Sequence, residues 1–381
     1  MATGIPANPL LALQAFGQSI WLDNIRRDLI TSGALARLVR EDGLRGLTSN
    51  PAIFEKAVAQ SREYADMIEP PAREGVDANT IYERLAMRDI RDAADALRAV
   101  YDSTKAADGY VSLEVSPALA RDTRGTIDEA RRLWRETARE NLMIKVPGTP
   151  EGVPAIRQLI GEGVNVNVTL LFSREAYAAA ARAYLEGLEA LTGRGGDLSR
   201  PASVASFFVS RIDTLTDSLL EARIAAAGEE SEKRRLSALR GQAAIANAKL
   251  AYRDYLEMLE TPRWTRLSAM GARPQRLLWA STSTKNPSYR DVLYVEELIG
   301  ADTVNTLPPA TLEAFRDHGR VRASLTEDAE GARGALAALE AAGISLKAVT
   351  DQLLDEGVRQ FADAFDKLLA AIGARSRSRA A

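Results

Sequence analysis

Short apolar runs alternate along the chain with longer stretches whose apolar residues recur at helical spacing. The runs that read as strands are Ile20–Asp23, Leu44–Asn50, Tyr110–Val115, Leu142–Val146, Val164–Leu171, Ser203–Val209, Arg276–Ser281 and Asp302–Thr306. Strands separated by amphipathic helices predict βαβ units and a parallel sheet, an α/β protein. Eight such strands suit a closed (β/α)8 TIM barrel. An open doubly wound sheet is the alternative, but no glycine-rich dinucleotide fingerprint follows the first strand.

Helix starts are legible as well. Asn50-Pro51 and Thr149-Pro150-Glu151 each put a capping residue before a proline suited to the first helical position. Ser173 precedes a stretch with Tyr177, Ala181, Tyr184, Leu188 and Leu191 at helical spacing. The whole chain, 1–381, reads as one barrel domain with two additions. These are a helical insertion over about 211–262 and C-terminal helices over about 325–373, expected to pack outside the barrel. Residues 374–381 read as a disordered tail.

Side chains on a strand alternate between faces. The clearest case is VNVNVT, where Val164, Val166 and Val168 share one face and Asn165, Asn167 and Thr169 the other. By the same alternation Lys145 faces away from Leu142, Ile144 and Val146, Glu114 away from Leu113 and Val115, and Asp23 away from Ile20 and Leu22. In a barrel this puts Asp23, Glu114, Lys145, Asn167 and Thr169 toward the axis near strand C-terminal ends, where barrel active sites are built. Several inward charges on different strands point to one polar site, because an isolated buried charge is costly.

Composition narrows the chemistry. The chain has no cysteine and one histidine, so disulfides, a Cys nucleophile and a zinc site of Cys and several His ligands are excluded. His318, just before a glycine, reads as a surface histidine near a helix C-terminus. A net charge of −3 supplies no overall basicity for nucleic acid, and none is expected as a partner. No apolar run reaches the roughly 18 residues of a membrane span. The first residues carry no basic segment followed by a long apolar one, so no secretory signal is expected and the expected location is the cytoplasm.

Burial disfavours the ammonium form of a lysine and frees the amine as a nucleophile. Such an amine can attack a ketone to form a Schiff base, whose protonated imine is an electron sink for cleavage of a neighbouring carbon–carbon bond. Asp23 and Glu114 are the nearest candidate proton movers. The competing role for Lys145 is a point charge on a phosphate.

At these residues the chain resembles the transaldolase family, in what looks like its longer bacterial branch. The segments that carry the resemblance are GLTSNPAIF at Gly46–Phe54, LMIKVPGTPEG at Leu142–Gly152, NVTLLFS at Asn167–Ser173 and ASFFVSRID at Ala205–Asp213. They fall in order, and the resemblance covers roughly Gln18–Pro309. It implies a Schiff base between Lys145 and a ketose phosphate. Asp23 would move the proton of the hydroxyl next to the bond being cleaved, and Glu114 and Thr169 would hold a water that shuttles protons. Asn50, Asn167 and Ser206 would bind hydroxyls of a dihydroxyacetone unit, and Arg211 and Ser281 the phosphate. Where the family often has Ser-x-Arg, this chain has WASTSTKNP, with Lys285 as the nearest cation and Ser283 a further contact. A lysine there keeps a point charge and loses bidentate geometry.

The implied activity belongs to the pentose phosphate pathway: transfer of dihydroxyacetone from sedoheptulose 7-phosphate or fructose 6-phosphate to glyceraldehyde 3-phosphate or erythrose 4-phosphate. It needs no metal and no organic cofactor. The partners are sugar phosphates, and the expected state is a monomer or homodimer. The alternatives are a lysine aldolase of the same fold that releases a free carbonyl fragment, and a silent barrel that only binds. Phe208 shares the inward parity of Ser206, and reads either as core filling or as an apolar wall that slows loss of the three-carbon unit to water.

Overall fold

The structure is a computed structural model that describes residues 8–60 and 63–377. Eight parallel strands close into a barrel in sequence order: β1 (Gln18–Asp23), β2 (Gly46–Thr48), β3 (Tyr110–Glu114), β4 (Leu142–Pro147), β5 (Val166–Leu171), β6 (Ser203–Phe208), β7 (Arg276–Ala280) and β8 (Thr303–Leu307). Every one of the eight expected runs holds a strand, and the ends shift by a few residues. β8 pairs with β1 from Gln18↔Thr303 to Leu22↔Leu307, which closes the ring. The closed barrel replaces the open-sheet alternative.

Register places the polar positions side by side. Glu114 pairs with Lys145 across β3 and β4, Lys145 with Asn167 across β4 and β5, and Asp23 with Thr48 across β1 and β2. In-register neighbours in a parallel sheet point to the same face, so the alternation seen in each strand becomes one polar layer. Below this layer the interior is filled by bulk. Trp21 is fully buried there, and Gly46 on the next strand admits its ring: a Cβ on Gly46 would lie 2.5 Å from Trp21 ring atoms. The Trp21 indole N–H, the Ser19 hydroxyl and the Arg276 guanidinium all donate to buried Asp108, which ties β1, β7 and the loop before β3 together.

β5 departs from a plain strand. Its register with β6 shifts between Val168 and Leu171, and Leu170 adopts φ +60°. This is a bulge, and it re-aims the end of the strand. Alternation alone carries no sign of it.

The helices follow their caps. Asn50 accepts a hydrogen bond from Ile53 N at 3.0 Å and starts the helix Pro51–Gln60, and Ser173 accepts from Ala176 N at 3.1 Å and starts Arg174–Thr192. The third expected start is displaced. The helix begins at Gly152, after Pro150 and Glu151, and Thr149 accepts from Gly152 N at 3.0 Å. Thr149 still caps the first turn, and residue 152 must be glycine: a Cβ there would lie 2.0 Å from the Pro147 carbonyl oxygen.

Between β6 and β7 lie four helices, Ser210–Ala226, Glu230–Ser237, Ala243–Leu259 and Pro262–Ala269. After β8 come Pro309–His318, Ala329–Ala341 and Leu346–Arg377. The last of these does not simply pack outside the barrel. It crosses the C-terminal mouth, fastened by edge-to-face contacts of Tyr82 with Phe54 (5.8 Å) and with Phe365 (5.2 Å). It also runs past residue 374 to Arg377, where the sequence reads as a tail; residues 378–381 of that tail lie outside the described residues. Among the described residues, no helix is long and apolar enough to cross a membrane.

The Gly46–Trp21 contact gives a direct test of the packed barrel floor. Gly46→Ala should destabilise the fold by about 1–3 kcal/mol, because a rigid buried ring and a strand must separate. The urea midpoint reads this, and an unchanged midpoint would contradict the packing.

Candidate active site

At the C-terminal mouth of the barrel lies a cavity of about 520 Å³, within the range typical of small-molecule pockets. Asp23, Lys145, Thr169, Ser206, Arg211 and Lys285 all line it, as do Asn50 and Ser281. Glu114 and Asn167 are not part of this lining, but each contacts a residue that is: Glu114 is ion-paired with Lys145, and Asn167 is hydrogen-bonded to Ser206.

Lys145 is the centre. It is only 4% exposed. Its Nζ donates to the Ser49 carbonyl oxygen at 3.1 Å and lies 3.4 Å from Glu114 Oε2. Glu114 Oε2 and Thr169 Oγ1 are buried and have no hydrogen-bond partner among the described residues. The Glu114 contact is thus an ion pair at long range rather than a well-formed hydrogen bond. Burial pushes the Glu114 carboxyl up to about 7, against the pull of the Lys145 charge. A carboxyl tuned there can both give and take a proton at neutral pH.

Asp23 is also raised by burial, and the charges of Lys145, Arg211 and Lys285 and the Thr48 hydrogen bond act the other way. Thr48 donates to Asp23 Oδ1 at 2.8 Å, and its hydroxyl also lies 2.7 Å from that of Thr306. Asn167 donates to Ser112 Oγ at 3.0 Å and accepts from Ser206 Oγ at 2.7 Å, which fixes its amide and orients Ser206 at the cavity wall.

The cations Arg211 and Lys285 line the same cavity. Arg211 lies in the first turn of Ser210–Ala226, its guanidinium 5.4 Å from the Phe208 ring centroid. Ser281 sits just past β7 at φ +57°, with its hydroxyl 3.0 Å from that of Ser210. Lys285 donates to Ser283 Oγ at 2.7 Å, so the two candidate contacts of the STSTK segment stand together. Burial lowers Arg211 and Lys285 from their ordinary values, and Arg211 and Lys56 add a repulsion that lowers Lys285 further. Each of the two is held by a neutral partner, Gln360 and Ser283.

The structure therefore brings all ten predicted positions to one barrel mouth. Sequence reasoning missed Thr48, Thr306, Lys56, Gln360 and Phe361. Thr48 was within reach, since it stands in the TSNP segment and pairs in register with Asp23. Gln360 and Phe361 lie on the last helix, far from any motif. His318 is exposed at the end of Pro309–His318, between Asp291 and Asp317 and away from the cavity lining.

The buried Lys145 amine lies 3.4 Å from a Glu114 carboxylate oxygen, at the edge of a cavity that Arg211 and Lys285 also line, which suits this (β/α)8 barrel to lysine-centred chemistry on an anionic substrate. The chain belongs to the transaldolase/fructose-6-phosphate aldolase family, whose model matches residues 20–372. It is 50% identical over 364 residues to a transaldolase of Trichodesmium erythraeum, covering 95% of this chain and 96% of that protein. It is 51% identical over 357 residues to a transaldolase of Thiobacillus denitrificans, covering 94% and 97%. A transaldolase of Neisseria gonorrhoeae is 45% identical over 358 residues, with the same shares covered.

The raised Glu114 carboxyl has a measurable consequence. Its folded value of about 7 exceeds the ordinary 4.5, so between those values the native state holds a proton that the unfolded chain releases. Its contribution to stability is full below about pH 4.5 and is lost as pH rises through about 7. Glu114→Gln should flatten that loss. Urea midpoints at pH 5 and pH 8 measure it, and an equal drop in both proteins would contradict the shifted carboxyl.

Proposed function

We propose that this protein acts as a transaldolase, moving a dihydroxyacetone unit from a ketose phosphate to an aldose phosphate through a Schiff base on Lys145. The observation that carries the reading is the burial of Lys145 Nζ beside Glu114 at the edge of a cavity that also holds Arg211 and Lys285. The donor is sedoheptulose 7-phosphate or fructose 6-phosphate, and the acceptor glyceraldehyde 3-phosphate or erythrose 4-phosphate.

The steps follow from the residues in place. The amine of Lys145 adds to the C2 carbonyl of the ketose. Glu114 protonates the departing hydroxyl through a water, and loss of water leaves the iminium. Thr169 Oγ1 and Glu114 Oε2, both buried without a hydrogen-bond partner among the described residues, supply the acceptors and donor such a water requires. Asp23 takes the proton of the C4 hydroxyl. The C3–C4 bond breaks, its electrons enter the iminium to form an enamine, and the aldose phosphate departs. The enamine then attacks the carbonyl of the acceptor, Asp23 returns its proton, and water releases the new ketose from Lys145. Asn50, Asn167 and Ser206 bind hydroxyls of the retained unit. Arg211, Ser281 and Lys285, with Ser283, hold the phosphate. No other group has to act as electron sink.

Phe208 bears on transfer against simple cleavage. It is 6% exposed, lines the cavity, and stacks at 5.1 Å on Phe172. An apolar wall there keeps water off the enamine, so the three-carbon unit waits for an aldehyde. Cytoplasmic location, sugar phosphates as partners and a monomeric or homodimeric state belong to the same reading.

The test uses fructose 6-phosphate with and without erythrose 4-phosphate. Release of glyceraldehyde 3-phosphate should be slow alone and rise sharply when the acceptor is added. Equal rates in both, with free dihydroxyacetone accumulating, would make the protein an aldolase. Phe208→Tyr should raise the ratio of free dihydroxyacetone to transferred product, and an unchanged ratio would remove Phe208 from the account. Glu114→Gln should slow Schiff-base formation more than it weakens phosphate binding; a pure binding loss would contradict the water shuttle.

A further inference from the structure

We propose that the C-terminal helix Leu346–Arg377 is a working wall of the active site, with Phe361 as the roof over the Lys145 amine and Gln360 as the seat of the Arg211 guanidinium. The proposal rests on the reading of Lys145 as the Schiff-base residue.

The geometry is specific. Phe361 lines the cavity, is 6% exposed, and places its ring centroid 5.6 Å from Lys145 Nζ. That is inside the roughly 6 Å limit of a cation–π contact. The adjacent residue, Gln360, accepts from Arg211 Nη1 through Oε1 at 2.9 Å. Consecutive residues of one helix therefore reach the lysine and the phosphate arginine. The helix is held there by the Phe54–Tyr82–Phe365 contacts and by an ion pair of Asp355 with Arg121, and Gly357 faces the re-aimed Leu170 of the β5 bulge.

Each contact has a chemical consequence. The face of an aromatic ring attracts a cation, and both the ammonium of Lys145 and the iminium formed on it are cations. The neutral carbinolamine gains nothing from it, so once the sugar is covalently bound the ring favours loss of water to the iminium over retention of the carbinolamine, and it shields the iminium from bulk water. At Arg211 the partner is a neutral amide. It fixes one guanidinium nitrogen and leaves the remaining donors for a phosphate, while the Asp23 and Glu356 carboxylates act on Arg211 through their charge alone. A carboxylate in the same place would compete with the phosphate.

The test is borohydride trapping of the full-length enzyme with fructose 6-phosphate and with dihydroxyacetone, combined with steady-state kinetics. At saturating compound, where Lys145 is held as carbinolamine or iminium, Phe361→Leu keeps apolar bulk without a π face and should lower the trapped fraction about threefold or more with either compound. Phe361→Tyr should restore it. Gln360→Glu should raise KM for fructose 6-phosphate about tenfold, and leave kcat and trapping with dihydroxyacetone unchanged. Wild-type enzyme that traps on Lys145, together with a Leu variant that traps equally well or a Tyr variant no better than Leu, would overturn the roof alone. Equal losses of Gln360→Glu on the phosphorylated and unphosphorylated compounds, or no loss, would overturn the seat. Wild-type enzyme that fails to trap would overturn the Lys145 reading itself, and the proposal with it.

Discussion

The amine of Lys145 sits almost without solvent beside the Glu114 carboxyl, and the rest of the site is arranged around that fact. A charge held this deep is tolerated only where partners surround it. The Ser49 carbonyl, Glu114 and the Phe361 ring are those partners. The same burial raises Glu114 to about 7 and lifts Asp23 from its ordinary range. One constraint thus sets the nucleophile beside carboxyls whose burial disfavours their charged form.

The barrel makes that constraint attainable. Parallel register sets Glu114, Lys145 and Asn167 in one row, and a core of Trp21 and its neighbours closes the space beneath them. Chemistry can therefore open only toward the C-terminal mouth. There the cations Arg211 and Lys285 stand on segments following β6 and β7 and line the same cavity as the lysine. A substrate with a carbonyl at one end and a phosphate at the other is aligned by those two poles. The last helix lies across the opening and sets how much water reaches them.

Much of this was legible in the sequence because strands carry a period of two. VNVNVT announces which side of β5 is polar, and LMIKV isolates its lysine on the face opposite three aliphatics. The same alternation places Asp23 there, and the motif segments then assign Asn50 and Arg211 to the same mouth. Three things were not legible. The β5 bulge at Val168–Leu171 arises from tertiary fit and leaves no mark in the alternation. The later start of the helix after Thr149, at a Gly152 packed too close to the Pro147 carbonyl for any Cβ, depends on backbone positions that the residue types do not reveal. The amphipathic pattern of Leu346–Arg377 shows that one face is buried, but not that the surface it covers is the active site. Phe361 therefore reads as ordinary core until the barrel is built.

The central claim is that Lys145 forms a covalent imine with a ketose phosphate. Borohydride reduction in the presence of fructose 6-phosphate, followed by peptide mass spectrometry, tests it at the bond itself. The account predicts a reduced three-carbon or six-carbon adduct on Lys145. Folded protein that binds the sugar phosphate yet carries no adduct on Lys145, or carries it on another lysine, would contradict it.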